Sequence, residues 1–147
     1  MKIKIAWIGK TKEPAIIALT EEYLKRVSRY CPVEGIPLRD EAALLAICGG
    51  NKGSSKSTLV LMDSRGKEFS SEQFAKFLGN YQDRNPLPLV IGIGGADGWG
   101  AEVRAAAAQT ISLGKMTLAH ELARIVLLEQ VYRAFTILKG HPYHSGH

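Results

Sequence analysis

Three short segments of this chain bring together residue types that could bind a ligand and act on it. Asp63 and Gly66 follow the apolar run 58–62. Gly94, Gly95, Asp97, Gly98, Trp99 and Gly100 follow the apolar run 87–93, and Leu113-Gly114-Lys115-Met116-Thr117-Leu118 closes a third. Ligands of open α/β sheets bind beyond the carboxyl ends of the strands, so the loops 63–66, 94–100 and 113–118 together are the predicted pocket. The glycine-dense loop lets the backbone approach a ligand closely or take positive φ. The same composition also suits a plain tight turn from strand to helix.

Better-known motifs fail on spacing. A dinucleotide fingerprint starting at Gly92 and Gly94 needs its third glycine where Asp97 stands, and Gly98 comes one residue late. A P-loop requires an upstream glycine where Gly9-Lys10-Thr11 has Lys4 and Gly66-Lys67 has Leu61, so triphosphate hydrolysis is unsupported. His120-Glu121-Leu122-Ala123 would open a zinc-protease motif, but Arg124 occupies the place of the second histidine. His141, His144 and His147 are spaced by three, yet Pro142 and the distance of both cysteines deny them a rigid frame, so no metal site is expected.

The elements that must position these loops follow from periodicity. Residues 2–8 alternate as a strand does, and Pro14 suits the first position of a helix whose Ile16, Leu19, Tyr23, Val27 and Tyr30 recur at spacings of three and four. A strand over 33–38, a brief helix over 40–47 and a flexible Gly/Ser/Lys loop over 49–57 come next. A buried strand over 58–62 leads through a turn to Ser70-Ser71-Glu72-Gln73, which fits a capping box opening a helix with Phe74, Phe77, Leu78 and Tyr81 on one face. Strands over 87–93 and 110–113 flank an alanine-rich helix over 101–108. A final helix over 119–139 is stopped by Gly140 and Pro142. Strands alternating with helices predict an α/β domain with a largely parallel sheet covered on both sides.

The last helix is apolar nearly all round, including Ile125-Val126-Leu127-Leu128, and is interrupted by His120, Arg124, Glu129, Gln130 and Arg133. Such a helix wants burial on two sides. The sheet can supply one; a second copy of the chain across a two-fold axis, or the interior of a monomer, would supply the other. Glu129 and Arg133 are spaced to pair as i and i+4, an ion pair worth ~0.3–0.5 kcal/mol on an exposed helix.

The 147 residues carry 19 Lys plus Arg against 14 Asp plus Glu, a net charge of +5, and 46% are apolar. That is one domain's worth of chain with a sizeable core, which excludes intrinsic disorder. The positive balance is compatible with a nucleic acid partner. Apolar stretches as short as 125–128 cannot span a membrane, and the alternating N-terminus is not a secretory signal. Cys31 and Cys48 are read as reduced thiols of a cytoplasmic protein.

Six blocks in order resemble the ribosomal RNA large subunit methyltransferase H family of SPOUT methyltransferases. They are residues 4–10, Leu61-Met62-Asp63 with Gly66, Ile93-Gly94-Gly95-Ala96-Asp97-Gly98, the run 112–120 from Ser112 to His120, Glu129-Gln130-Val131-Tyr132-Arg133-Ala134-Phe135, and His141-Pro142-Tyr143-His144. The resemblance spans the whole chain and implies a single SPOUT domain over 1–147, a deep trefoil knot near the C-terminus and a homodimer. It implies methyl transfer from S-adenosylmethionine to N3 of a pseudouridine in large-subunit (23S) ribosomal RNA, within the ribosome. By the same carry-over the cofactor would touch Met62, Gly94, Leu113, Gly114, Lys115, Met116, Thr117 and Leu118. The reaction would be served by Arg133, Tyr143 and His144, with histidine's ordinary pKa near neutrality suiting a proton carrier. Arg124, Lys115 and the basic end of the first helix, Lys25, Arg26 and Arg29, would face phosphates. A non-catalytic RNA- or ribosome-binding module of the same fold is the alternative. The chain departs from the family in its shorter stretch 40–57, in Glu121 after the histidine, and in Ser145 where a basic residue is common; His147 could partly stand in for that charge.

Overall fold

In the computed structural model, which describes residues 1–49, 56–95 and 97–145, five strands form one sheet: β1 Ile3–Ile8, β2 Val33–Leu38, β3 Thr58–Glu68, β4 Leu89–Ile93 and β5 Gln109–Ser112. Their order is β2-β1-β4-β3-β5 and every pairing is parallel. Helices α1 Pro14–Ser28, α2 Glu41–Ile47, α3 Ser71–Arg84, α4 Ala101–Ala106 and α5 His120–Lys139 connect and cover the strands, and a 3-10 turn, Pro142–His144, follows α5. Most of the Gly/Ser/Lys loop, residues 50–55, lies outside the described residues, as do Ala96 and His147.

The near-continuous apolar runs of β4 and the first half of β3 are explained by a sheet buried on both faces. Ile3, Ile5 and Trp7 of β1, Val60 and Met62 of β3, and Leu89, Ile91 and Ile93 of β4 pack into one core with Val27 of α1, Phe74 and Leu78 of α3, and Leu127, Leu128, Val131 and Phe135 of α5. The alternate residues Ala6, Leu59, Leu61 and Val90 join Leu44 of α2, Val103 of α4 and Trp99 in a second core. The period of two thus assigns each strand residue to a layer. Cys31 and Cys48 fall in different cores, and burial pushes both thiols up to about 11, which keeps them protonated and inert at neutral pH.

Helix ends obey local chemistry. Pro14 occupies the first turn of α1, and Lys25 and Arg26 load its last turn. The capping box holds: Gln73 N–H donates to Ser70 Oγ at 3.1 Å, and Ser70 N–H donates to Gln73 Oε1 at 2.8 Å. Gly140 ends α5 in the left-handed region at φ 69°.

One expected boundary is corrected. The third strand does not end at Met62; it continues to Glu68, because the register against β5 jumps from Met62↔Ile111 to Lys67↔Ile111 and residues 63–66 bulge out between two paired stretches. A Cβ at Gly66 would lie 2.7 Å from the carbonyl of Thr110, so only glycine lets the bulge close onto β5. Gly66→Ala is therefore expected to destabilise the fold by about 2 kcal/mol or more, read from the denaturant midpoint.

Candidate functional site

The bulge in β3 and the carboxyl ends of β4 and β5 open into a cavity of about 470 Å³. All three loops anticipated from the sequence line it: Met62, Asp63 and Ser64; Gly94, Gly95, Gly98 and Trp99; Leu113, Gly114, Met116, Thr117 and Leu118. His120 and Ala123 of α5 complete the wall. Of the expected cofactor contacts, Lys115 alone does not line the cavity; it stands exposed. A Cβ placed on Gly95 or Gly114 would meet nothing within 4 Å, so both glycines leave room where a ligand would pass.

The sequence reading did not foresee how the loops are held. Trp99 is buried, donates from Nε1 to the Met62 carbonyl at 2.9 Å, and lies so close to Gly94 that a Cβ there would be 3.0 Å from its ring. Arg104 donates from Nε to the Trp99 carbonyl at 3.1 Å and from Nη2 to Asp63 Oδ2. Burial by itself would raise the Asp63 pKa, but the Arg65 backbone N–H and the Arg104 guanidinium outweigh it and hold the carboxyl below its usual range. A depressed carboxyl contributes stability above its unfolded pKa, and that contribution is lost as the pH falls through the folded value. A tryptophan inside a glycine loop was the available signal; Arg104 gave none.

The residues expected to serve the reaction form a second cluster. Glu129 accepts two hydrogen bonds from Arg133, at 3.2 and 2.8 Å, and one from the Tyr143 hydroxyl at 2.9 Å. The Arg133 guanidinium sits 5.3 Å from the centre of the Tyr143 ring, which packs edge-on against Tyr132 with centroids 4.7 Å apart. His144 shares the same turn, with Nδ1 buried and lacking a hydrogen-bond partner among the described residues. Burial, and then the bond to Glu129, raises the Tyr143 pKa, so this phenol remains a proton donor. The Glu129 bond raises the pKa of Arg133 and fixes it as a cation. The pairing of Glu129 with Arg133 was legible as i and i+4; its bond to Tyr143 was not.

This cluster is not at the cavity of its own chain. Ala123 lines the cavity and Arg133 lies ten residues further along α5, about 15 Å at the rise of an α-helix. A model of the family described as predicted SPOUT methyltransferases matches residues 1–144. The chain belongs to the SPOUT methyltransferases. Among its relatives is the ribosomal RNA large subunit methyltransferase H of Koribacter versatilis, 54% identical over 147 residues and all of both chains. That of Geobacter sp. strain M21 is 39% identical over 98% of this chain and 99% of the other. The fold resembles a probable methylase family protein from Haemophilus influenzae, with a TM-score of 0.62 at 11% identity over 96% of this chain and 69% of that one. It also resembles the SpoU methyltransferase AviRb from Streptomyces viridochromogenes, solved with AdoMet, with a TM-score of 0.52 at 12% identity over 88% and 56%.

In this SPOUT domain the expected phosphate-facing residues divide. Lys25 and Arg29 are exposed at the end of α1. Arg26 pairs with Glu22 at 2.7 Å and stands 5.7 Å from the Tyr132 ring, which joins the basic end of α1 to the Arg133 cluster. Arg124 is a correction. It is 2% exposed, its guanidinium 3.9 Å from the Trp7 ring centre and 3.4 Å from Thr20 Oγ1, so it cannot reach a phosphate on the surface. It points inward because the apolar face of α5 turns that position towards β1 and α1, where Trp7 offers the cation a π face. Arg124→Ala is expected to cost about 3 kcal/mol in denaturant unfolding, from the void and the lost ring contact, without changing the salt dependence of RNA binding.

Proposed function

We propose that this chain transfers the methyl group of S-adenosylmethionine to N3 of a pseudouridine in large-subunit ribosomal RNA, in the cytoplasm, as a homodimer. The observation that carries this reading is the cavity over three adjacent strands, lined by Met62, Gly94, Leu113, Gly114, Met116, Thr117 and Leu118, in a chain whose relatives carry the name ribosomal RNA large subunit methyltransferase H across their full length. The cavity has the size of a small-molecule site and is mostly apolar with a few polar groups, which suits an adenine ring flanked by backbone N–H and C=O groups. AviRb, of the same fold, binds AdoMet.

A sulfonium supplies an already activated methyl group, so the protein has to orient the acceptor and manage its proton. Arg133, fixed as a cation, would stabilise the negative charge that grows on the imide oxygens as N3 loses its proton. His144 would accept that proton, and the Tyr143 hydroxyl, held by Glu129, would help seat the base. Lys25, Arg26 and Arg29 would hold phosphates and contribute affinity without sequence choice.

The homodimer reading rests on exposure. Met116 is 87% and Leu122 is 53% exposed, and Leu118 just before α5 and Leu122 and Val126 on it are exposed too, an apolar seam of the kind that subunit contacts cover. No helix among the described residues is long and apolar enough to cross a membrane. The deciding experiment incubates the protein with labelled S-adenosylmethionine and large subunits or whole ribosomes, with and without prior pseudouridylation, and maps the modified nucleotide by mass. Transfer only to pseudouridylated RNA is expected. Transfer to another nucleotide would correct the substrate. RNA binding with neither transfer nor heat of cofactor binding would establish the non-catalytic module instead.

A further inference from the structure

Two of the three loops that wall the cavity belong to strands adjacent in the sheet, yet among the described residues no backbone pairing joins residues 63–66 to residues 94–100. Side chains do. Arg104 reaches the Trp99 carbonyl with Nε at 3.1 Å and the Asp63 carboxylate with Nη2, so a single guanidinium spans both loops. Trp99 Nε1 adds a second tie to the Met62 carbonyl at 2.9 Å, and the Gly100 N–H donates to Glu41 on α2 at 3.0 Å. Asp63 has a side chain only 8% exposed and lines the cavity, whereas Arg104 is 30% exposed and lies outside the lining.

We propose that Arg104 is a positioning residue for the cofactor, acting through Asp63 and Trp99 to fix the wall against which S-adenosylmethionine lies. The inference rests on the reading that this cavity takes S-adenosylmethionine. A fork with two donors in a rigid plane can hold a carboxylate and a carbonyl at once, which an ammonium can do only loosely. Without it, Asp63 keeps a nearly buried charge that is held only from within its own bulge, by the Arg65 backbone N–H at 2.9 Å and the Arg65 guanidinium at 3.5 Å. The bulge 63–66 and the glycine loop then keep the Trp99–Met62 bond but lose the tie through Asp63, and a preformed wall becomes one that binding must help to order.

The test compares the wild-type protein with Arg104→Gln and Arg104→Lys by calorimetry with S-adenosylmethionine, alongside steady-state methylation and thermal unfolding. Arg104→Gln is expected to weaken cofactor affinity and raise the cofactor KM by about tenfold, the scale of a lost charge-assisted hydrogen bond, with kcat and the KM for RNA little changed. Arg104→Lys should recover part of the loss. If Arg104→Gln does not fold, the comparison of Arg104→Lys with wild type decides. Affinity within about twofold of wild type in a folded variant, or a fall in kcat at constant cofactor KM, would overturn the assignment. Wild-type protein that binds no S-adenosylmethionine would overturn the cavity reading itself, and this inference with it.

Discussion

Arg133→Ala is expected to slow methyl transfer by about 10²–10³-fold, the range seen when one preorganised donor to a developing oxyanion is removed, while heats of S-adenosylmethionine binding stay near wild type. The separation follows from position: Arg133 lies about three helical turns beyond the last α5 residue of its own cavity, so its loss leaves the cofactor wall intact. His144→Ala should behave in the same way. Glu129→Gln adds a sharper test. One carboxylate receives both Arg133 nitrogens and the Tyr143 hydroxyl, so the neutral amide loosens two residues at once. Its cost should then be strongly non-additive with that of Arg133→Ala in a double-mutant cycle. Single-turnover rates measured beside calorimetry check all three; equal loss of rate and cofactor binding would remove the cluster from the reaction.

The fold was legible because its signals are short in range. Alternating apolar residues in β1, the capping box at Ser70 and Gln73, and the stop at Gly140 each depend on neighbours a few residues away, and each is found where periodicity placed it. The cavity was legible for a related reason: loops that follow parallel strands converge by topology, and the named loops line one cavity. What escaped depends on distant partners. Arg124 has the composition of a surface cation on a helix, and only the packing of α5 over Trp7 and Thr20 buries it. The bulge at residues 63–66 needs β5 on its far side, and Asp63, Trp99 and Arg104 meet across 41 residues of sequence. A knot is a property of chain path that no periodicity encodes; that expectation rests on the resemblance alone.

Mixing two inactive variants is expected to restore activity. If the Arg133 cluster of one protomer serves the cavity of the other, a chain with a spoiled cavity but a sound tail can lend Arg133, Tyr143 and His144 to a partner with a sound cavity and a spoiled tail. Gly95→Trp is suited to the first role, because Gly95 lines the cavity, has open space around it and does not need positive φ, and Arg133→Ala to the second. Random exchange makes half of the dimers mixed, with one working site of two in each, so about a quarter of wild-type activity should appear. Unmixed samples should stay near background. The seam at Leu118, Leu122 and Val126 supplies the control: Leu122→Asp places a charge on an apolar contact that is 53% exposed in the single chain, where it costs little until two copies meet. This variant should sediment as a monomer and lose turnover. Sites contained within one protomer would instead give no rescue on mixing, and a monomeric Leu122→Asp protein that still methylates would rule out the shared site directly.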